Sequence, residues 1–369
     1  MELFWIWLSQ LKGFSRDAAH LFWELGLSPK ELYDADVAEL TSFGFPEKDA
    51  ALLLQKDLSK AEDILRDSKE KGIRLLTPDC EHFPLCLRSL DKIPFVLYYL
   101  GDFPDFDREL TIAIVGHRKA LESSRYLASR ISHDLAERGV IILSGAAEGI
   151  DSSAMSSAIK TGGRAVGVLG NGVDHVYPAC NRALFSDTVQ SGCLISEYPP
   201  GTLPAKWQFP ERNRLISALS HGVLIVEASK KSGSMITASH ALEQGKDLFA
   251  VPGTAGEERF SGVNDLIRQG AYLTESSADI LEYYASTFDL NKAPDKSPNS
   301  KSENASPISP DNAGSTEAKI LSALGNGPVS ADELSASFGL GAADVSMALT
   351  MLQIKGMIRS VPGGAFVRI

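Results

Sequence analysis

The chain has no apolar run long enough to cross a bilayer: its apolar N-terminal stretch, residues 1–8, is cut short by Ser9, Gln10 and Lys12. That stretch also lacks a basic leader and a small-residue cleavage site, so a cytoplasmic protein with no membrane contact is expected. Cysteine is scarce. Cys80, Cys86, Cys180 and Cys193 form no CxxC pair, and a chain of 369 residues has core enough to dispense with disulfide staples, so reduced thiols are expected. The segment from Cys80 through His82 to Cys86 has no second cluster nearby to complete the four ligands of a structural zinc. No HExxH pattern occurs, and no histidine sits at a recognisable spacing from a nucleophile, which leaves metalloprotease and triad chemistry without a foothold. A Walker sequence is missing, and so is GxGxxG, because Gly170-Asn-Gly172 runs on to Asp174 and Tyr177. ATP hydrolysis and ordinary NAD binding are poorly supported, and no cofactor is expected. Basic charge is also in deficit: 36 Lys and Arg face 47 Asp and Glu, for a net charge of -11. Nonspecific coating of nucleic acid needs the opposite balance, so any nucleic-acid site must be a local pocket.

What remains is an ordinary globular composition, 44% apolar and 22% charged, enough for one sizeable core and one or two satellite modules. Residues 1–65 read as a small helical module, with breaks at Gly13, Gly26 and residues 43–46. Short helices joined by Gly-containing turns are similar to SAM and helix-hairpin-helix modules. Few basic residues lie in these turns, which favours packing or partner docking over contact with a DNA backbone. Within the next segment, residues 66–288, six apolar runs stand out at 111–116, 140–145, 164–170, 193–198, 222–228 and 247–253. Most are rich in Val, Ile and Leu with little polar alternation, as expected of parallel strands covered on both faces. Helical patterns fit between most of them, at 123–138, 152–161 and 236–244, so an α/β doubly wound, mostly parallel sheet is expected. Residues 289–315 are rich in Pro, Ser, Asn and Lys and read as a flexible linker. Residues 316–369 then show three amphipathic helices, at 316–324, 330–338 and 341–355, and a hairpin at 357–369, a winged-helix pattern. The third helix is poor in arginine and base-reading amides, which favours protein contact over duplex readout.

Ligands of open parallel sheets bind outside the carboxyl ends of the strands, where loops and helix N-termini converge. Small residues gather at these ends: Gly116 after the first run, Ser144, Gly145 and Gly149 after the second, Gly170 and Gly172 after the third. They either bring backbone amides to an anion or serve tight strand-to-helix turning. Ser232-Gly-Ser234, followed by Thr237, makes a phosphate nest before a helix. Arg118 stands just beyond the first strand, and the run from Lys206 through Phe209 to Arg212, Asn213 and Arg214 lies between two strand patterns as a loop. Guanidinium groups pair bidentately with phosphate and stack on bases, and Phe209 and Tyr177 offer aromatic surfaces, so Arg118, Arg212 and Arg214 are expected to share one crevice with them. The alternative for Arg212 and Arg214 is structural pairing with carboxylates such as Glu197 or Glu227. Asp151, Asp174, Glu197 and Glu227 are expected to hold arginines and loop amides in place rather than to act as acid and base.

These residues resemble the DNA-processing protein family DprA, also called Smf. The resemblance rests on VGHR ending at Arg118, SGAAEGID ending at Asp151, GGRAVGVLGNGVDHVYPACN ending at Asn181 and SEYPPG ending at Gly201. It continues through FPERNRLIS ending at Ser217, VEASKKSGSMITA ending at Ala238 and VPG ending at Gly253, all in order. It extends more weakly to the flanking helical module and the winged helix. The resemblance implies an extended Rossmann-like fold, a homodimer, and single-stranded DNA in a basic pocket at the strand ends, without nuclease or ATPase activity. It further implies protection of incoming DNA and loading of RecA recombinase in natural transformation and recombination, with a single-stranded-DNA-binding protein as a further partner. By position, Arg118 grips phosphate, Asn181 lies beside the strand and the FPERNR segment shapes the pocket. Two positions depart from the family: Ala179 stands where relatives can carry a DNA-contacting lysine, and Met155 where the family has a histidine. Lys206, Arg182 and Lys230 are candidates to compensate. Two competing functions are a nucleotide hydrolase of the phosphoribohydrolase type, whose PGGxGTxxE signature is absent, and a duplex-promoter regulator acting through the winged helix.

Overall fold

The structure, a computed structural model, describes residues 1–290 without a break and, beyond them, three strands and a few helical positions within residues 329–368. The chain opens with six short helices: α1 (Glu2–Gln10), α2 (Arg16–Glu24), α3 (Pro29–Asp34), α4 (Val37–Phe43), α5 (Glu47–Leu53) and α6 (Ser59–Glu70). Their ends follow from local chemistry. Ser15 accepts from the Ala18 amide, Ser28 with Glu31 and Asp36 with Glu39 form capping boxes, and Gly44 closes α4 in the left-handed region.

Next come β1 (Arg74–Leu76), α7 (Leu85–Arg88) and β2 (Leu97–Gly101). The alternating region follows: β3 (Thr111–Val115), α8 (Glu122–Glu137), β4 (Ile141–Ser144), α9 (Ile150–Lys160), β5 (Ala165–Leu169), α10 (Arg182–Ser191), β6 (Cys193–Ser196) and α11 (Gln208–Ala218). It ends with β7 (Gly222–Ile225), α12 (Ser234–Glu243), β8 (Asp247–Ala250), α13 (Ser261–Arg268), β9 (Tyr272–Leu273) and α14 (Ser277–Tyr284). All six apolar runs form strands. The sheet order is β1-β2-β6-β5-β4-β3-β7-β8-β9, with every pairing from β6 to β9 parallel and β1 and β2 antiparallel. The periodic reading did not include β1, β2 and β9: β1 and β9 are only three and two residues long, and β2, although apolar throughout, lies upstream of the alternating strand–helix region and pairs antiparallel with its neighbours.

Alternate side chains of each central strand enter different cores, which is why these strands read as continuous apolar runs. Ala113 and Val115 of β3 face one layer, with Leu215 and Ile216 of α11 and Ala238 of α12. Ile112 and Ile114 face the other, with Ala128 and Leu135 of α8 and Ala154 of α9. A third cluster joins Trp5, Ile6 and Leu8 of α1 to Tyr98, Leu169 and Leu194 of the sheet, so the N-terminal helices, whose last, α6, runs past the expected boundary at residue 65, share a core with the α/β layer.

The chain divides into two compact units, Met1–Pro298 and Asn299–Ile369. In the second, β10 (Val329–Ser330), β11 (Ile358–Val361) and β12 (Ala365–Arg368) form an antiparallel sheet in the order β10-β12-β11. The β11–β12 pair is the expected hairpin, and Ser330, expected to open a helix, lies in β10. Val345, Leu349 and Leu352 are helical and buried. Leu334 and Ala348 are likewise helical and buried; the rest of the three expected helices, and the linker from residue 291, lie outside the described residues.

The shared core has a thermodynamic consequence. Leu194→Ala is expected to cost about 2–5 kcal/mol. In a Trp207→Phe background, where Trp5, Trp7 and Trp23 are the remaining tryptophans, the fluorescence and far-UV midpoints should fall together. Denaturant unfolding followed by both probes checks this; two separated midpoints would contradict a common core.

Candidate functional site

Strand order reverses between β3 and β7, because the chain runs from β3 to β6 on one side and crosses to β7 and β8 on the other. A cleft of about 580 Å³ opens at this switch point, where connections at strand carboxyl ends diverge. Its walls are Gly116, His117 and Arg118 after β3, Ala147 and Asp151 around the start of α9, Tyr177 after β5, and Lys231, Ser232 and Ser234 leading into α12. The floor is one face of α11.

That helix corrects the expectation of a loop from residue 206 to 214. Pro210 lies in the first turn of α11, where a missing amide hydrogen costs little, and Glu211 complements the helix N-terminus. Helical spacing then puts Phe209, Arg212, Asn213 and Ile216 on the cleft side. Arg214 falls elsewhere. It donates to both carboxylate oxygens of Glu197 at 2.5–2.7 Å and lines no part of the cleft, so of the two readings open for it the structural one describes its contacts.

Arg212 is 6% exposed. Its guanidinium donates to the carbonyl of Gly145 at 3.0 Å and to that of Val168, and so ties α11 to the ends of β4 and β5. Burial pulls its pKa down to about 10, with Asp151 opposing and Arg118 reinforcing the fall, so it remains charged at neutral pH. Burial raises the carboxyl of Asp151 above its ordinary 3.8, against the pull of Arg212 and of the Ala147 and Gly145 amides. The other three carboxylates also hold groups in place. Asp174 takes the Gly201 amide and Lys71, Glu197 takes Arg214, and Glu227 takes the Leu121 amide and Arg259.

Arg118 is exposed, and its Cζ lies 5.4 Å from the ring centre of Phe209. Phe209 in turn stacks on Tyr177, with centroids 5.5 Å apart and planes 28° from parallel. Gly170 makes this stack possible: a Cβ there would lie 2.8 Å from Phe209 Cδ1. Gly149, at φ +85°, turns the chain into α9 where a Cβ would come within 2.4 Å of the Arg118 carbonyl oxygen. Asn213 Nδ2 donates to Gly233 O at 3.3 Å, which joins α11 to the turn before α12, and the Ser232 and Ser234 hydroxyls hydrogen-bond at 2.8 Å in that turn. Among the described residues, Arg118, Lys206, Arg212 and Lys231 thus bring four basic groups to a cleft lined by one carboxylate, on a chain of net charge -11. Such a site offers cations for phosphate and aromatic faces for bases.

A family model described as DNA recombination-mediator protein A matches residues 74–285, and one described as DprA winged helix domain matches residues 304–364. The chain belongs to the DprA (Smf) family. Protein Smf of Synechocystis sp. is 30% identical over 100% of this chain and 98% of its own length. DNA processing protein A from Streptococcus pneumoniae superposes with a TM-score of 0.65 at 28% identity, over 76% of this chain and 98% of that one. DNA processing protein A from Helicobacter pylori, described for its single-stranded DNA binding mode, gives a TM-score of 0.53 at 30% identity, over 58% of this chain and 97% of that one. The fold is accordingly the extended Rossmann-like sheet of DprA, with N-terminal helices and a winged-helix domain.

Against the DprA resemblance, Gly116, Arg118, Asp151, Tyr177, Lys206, Phe209, Arg212, Asn213, Ser232, Ser234 and Thr237 line the cleft, and Gly145 lines its recess with Glu148 and Pro178. Ser144 is buried and donates to Ile114 O, and Gly172 packs against Asp174 and Thr202. Asn181 donates to Ala146 O, lining a neighbouring groove rather than the cleft. Met155 is fully buried in the core that reaches the N-terminal helices, and Ala179 is exposed in the turn after Tyr177. Of the compensating cations, Lys206 lines the cleft, whereas Lys230 pairs with Asp265 at 3.2 Å and Arg182 lies outside. Lys231 and His117 are cleft residues that sequence reading missed. Two adjacent lysines after β7 carry no signal of which one the turn directs inward.

Removing Arg212 strands a buried carboxylate, so Arg212→Ala is expected to lose about 3–5 kcal/mol of stability. Arg118→Ala should leave the unfolding midpoint unchanged. The Arg212→Ala deficit should shrink as pH falls: losing the guanidinium that pulls the Asp151 pKa down lets that pKa rise further, so the variant gains from protonation of Asp151 at acidic pH, and this gain is lost as pH rises through the raised pKa. Adding Asp151→Asn should recover part of the deficit at neutral pH. Urea titrations at neutral and acidic pH measure all of these; equal midpoints for the two arginine variants would contradict the assignment.

Proposed function

We propose that the protein is a non-catalytic binder of single-stranded DNA that holds the strand in the switch-point cleft. The observation that carries this reading is the exposed Arg118 over Phe209, which itself stacks on Tyr177, inside a basic cleft of an acidic protein. Arg118, Lys206 and Lys231 neutralise phosphates while the aromatic faces take bases, a sequence-tolerant mode because every base has a π face. The N-terminus of α12, opening on the cleft through Ser232 and Ser234, adds a partial positive charge. The described binding mode of the Helicobacter pylori relative supports the same ligand.

In this reading the DprA relationship extends to protection of incoming DNA and delivery to RecA recombinase during natural transformation and recombination, in the cytoplasm, with a single-stranded-DNA-binding protein as a further partner. A homodimer bridges two strands. Its support is β9, an edge strand whose Tyr272 and Leu273 are 47% and 50% exposed and whose backbone can pair with a second copy.

Oligo-dT is expected to bind more tightly than the corresponding duplex, with a log-log salt slope of about -0.7 per phosphate neutralised. Arg118→Ala should weaken binding about tenfold or more and flatten the slope by about 0.7. Arg214→Ala, compared at equal folded fraction, should leave the slope alone. Anisotropy titrations at several salt concentrations decide; equal affinity for duplex, or an Arg118→Ala slope identical to wild type, would overturn the reading.

A further inference from the structure

Leu203 and Trp207 stand 66% and 64% exposed in the segment that leads into α11, while Trp5 and Trp7 of α1 are buried. An indole left in water forgoes a large gain in burial. Trp207 directly follows Lys206, a cleft residue, and precedes Phe209 by two positions, so the Cα atoms of the two aromatics are no more than about 7 Å apart. It is also braced. The ring of Tyr198 meets it at 82° with centroids 5.9 Å apart. Two side chains are far too small a patch for a protein interface, which needs roughly 800 Å² per partner. They do match the size of one base, and Lys206 supplies the charge for the adjoining phosphate.

We propose that Trp207, braced by Tyr198 and flanked by Lys206 and Leu203, is a second stacking platform that takes the base next to the one held at Tyr177 and Phe209. The proposal rests on the reading of the cleft as a single-strand site and extends that site beyond its lining residues. Stacking, rather than apolar cover in general, is the interaction: an aromatic ring at this position should work and an aliphatic one should not.

The test titrates wild type, Trp207→Ala, Trp207→Phe and Trp207→Leu with oligo-dT and follows intrinsic fluorescence in parallel. Trp207→Ala and Trp207→Leu are expected to weaken binding about 5- to 100-fold, with Trp207→Phe close to wild type. All four proteins should melt at the same temperature. Oligo-dT should quench wild-type fluorescence, and the quench should vanish in Trp207→Phe, since Trp5, Trp7 and Trp23 lie in the N-terminal helices. Unchanged affinity in all three variants, with wild type still binding, would overturn the platform and leave the cleft reading intact. Equal losses in Trp207→Phe and Trp207→Ala, or a lowered melting temperature, would assign Trp207 a structural role and also overturn it. Failure of wild type to bind oligo-dT would remove both readings.

Discussion

A single buried guanidinium holds the site together. Arg212 reaches from α11 to the carbonyls of Gly145 and Val168 and faces Asp151 at the start of α9, so it fastens the ends of β4 and β5 to the helix that floors the cleft. A charge buried this deeply is tolerated only because its donors find carbonyls and its field finds a carboxylate. Asp151 in turn takes the Gly145 and Ala147 amides, which sets the loop that carries the cleft wall. The exposed Arg118 then adds its charge above a base already fixed in place, and its own repulsion on Arg212 is part of what lowers the Arg212 pKa.

Division of labour among the arginines follows from this arrangement. Arg118 is exposed and stacks on Phe209, Arg212 is buried yet still lines the cleft, and Arg214 is given over to Glu197. The protein can therefore be acidic overall and still present a cationic notch, because its cations are concentrated at the switch point while the carboxylates nearest to it are occupied by backbone amides and structural partners. Local geometry, not net charge, decides what such a surface attracts.

The sheet was legible in the sequence because strands buried on both faces must be apolar throughout, and all six such runs became strands. The strand-end residues were legible in part: Arg118, Gly116 and Ser232 reach the cleft, whereas Ser144 and Gly172 serve the local turning that was the other reading of such small residues. What escaped was the helix of α11. Phe209, Arg212, Asn213 and Ile216 do show helical spacing, but charge and proline crowd the segment and its apolar positions are split between cleft and core. Reading it as a loop placed Arg212 and Arg214 side by side, whereas helical geometry rotates them apart. The alternative pairing of Arg214 with Glu197 was already visible in the sequence, and only the helix register decides in its favour. Lys231 and Lys230 pose the same difficulty on a smaller scale, since one turn sends one to the cleft and the other to Asp265.

The central claim is that the proposed DNA strand runs past the Tyr177–Phe209 stack alongside Arg118. Photocrosslinking with an oligonucleotide carrying 5-iodouracil, followed by mapping of the adducts, tests it most directly, because stacked aromatic side chains capture the reactive base. The account predicts adducts on Tyr177 or Phe209, lost in the presence of excess unmodified oligo-dT. Competed adducts confined to another face of the protein, with Tyr177 and Phe209 unlabelled, would contradict it.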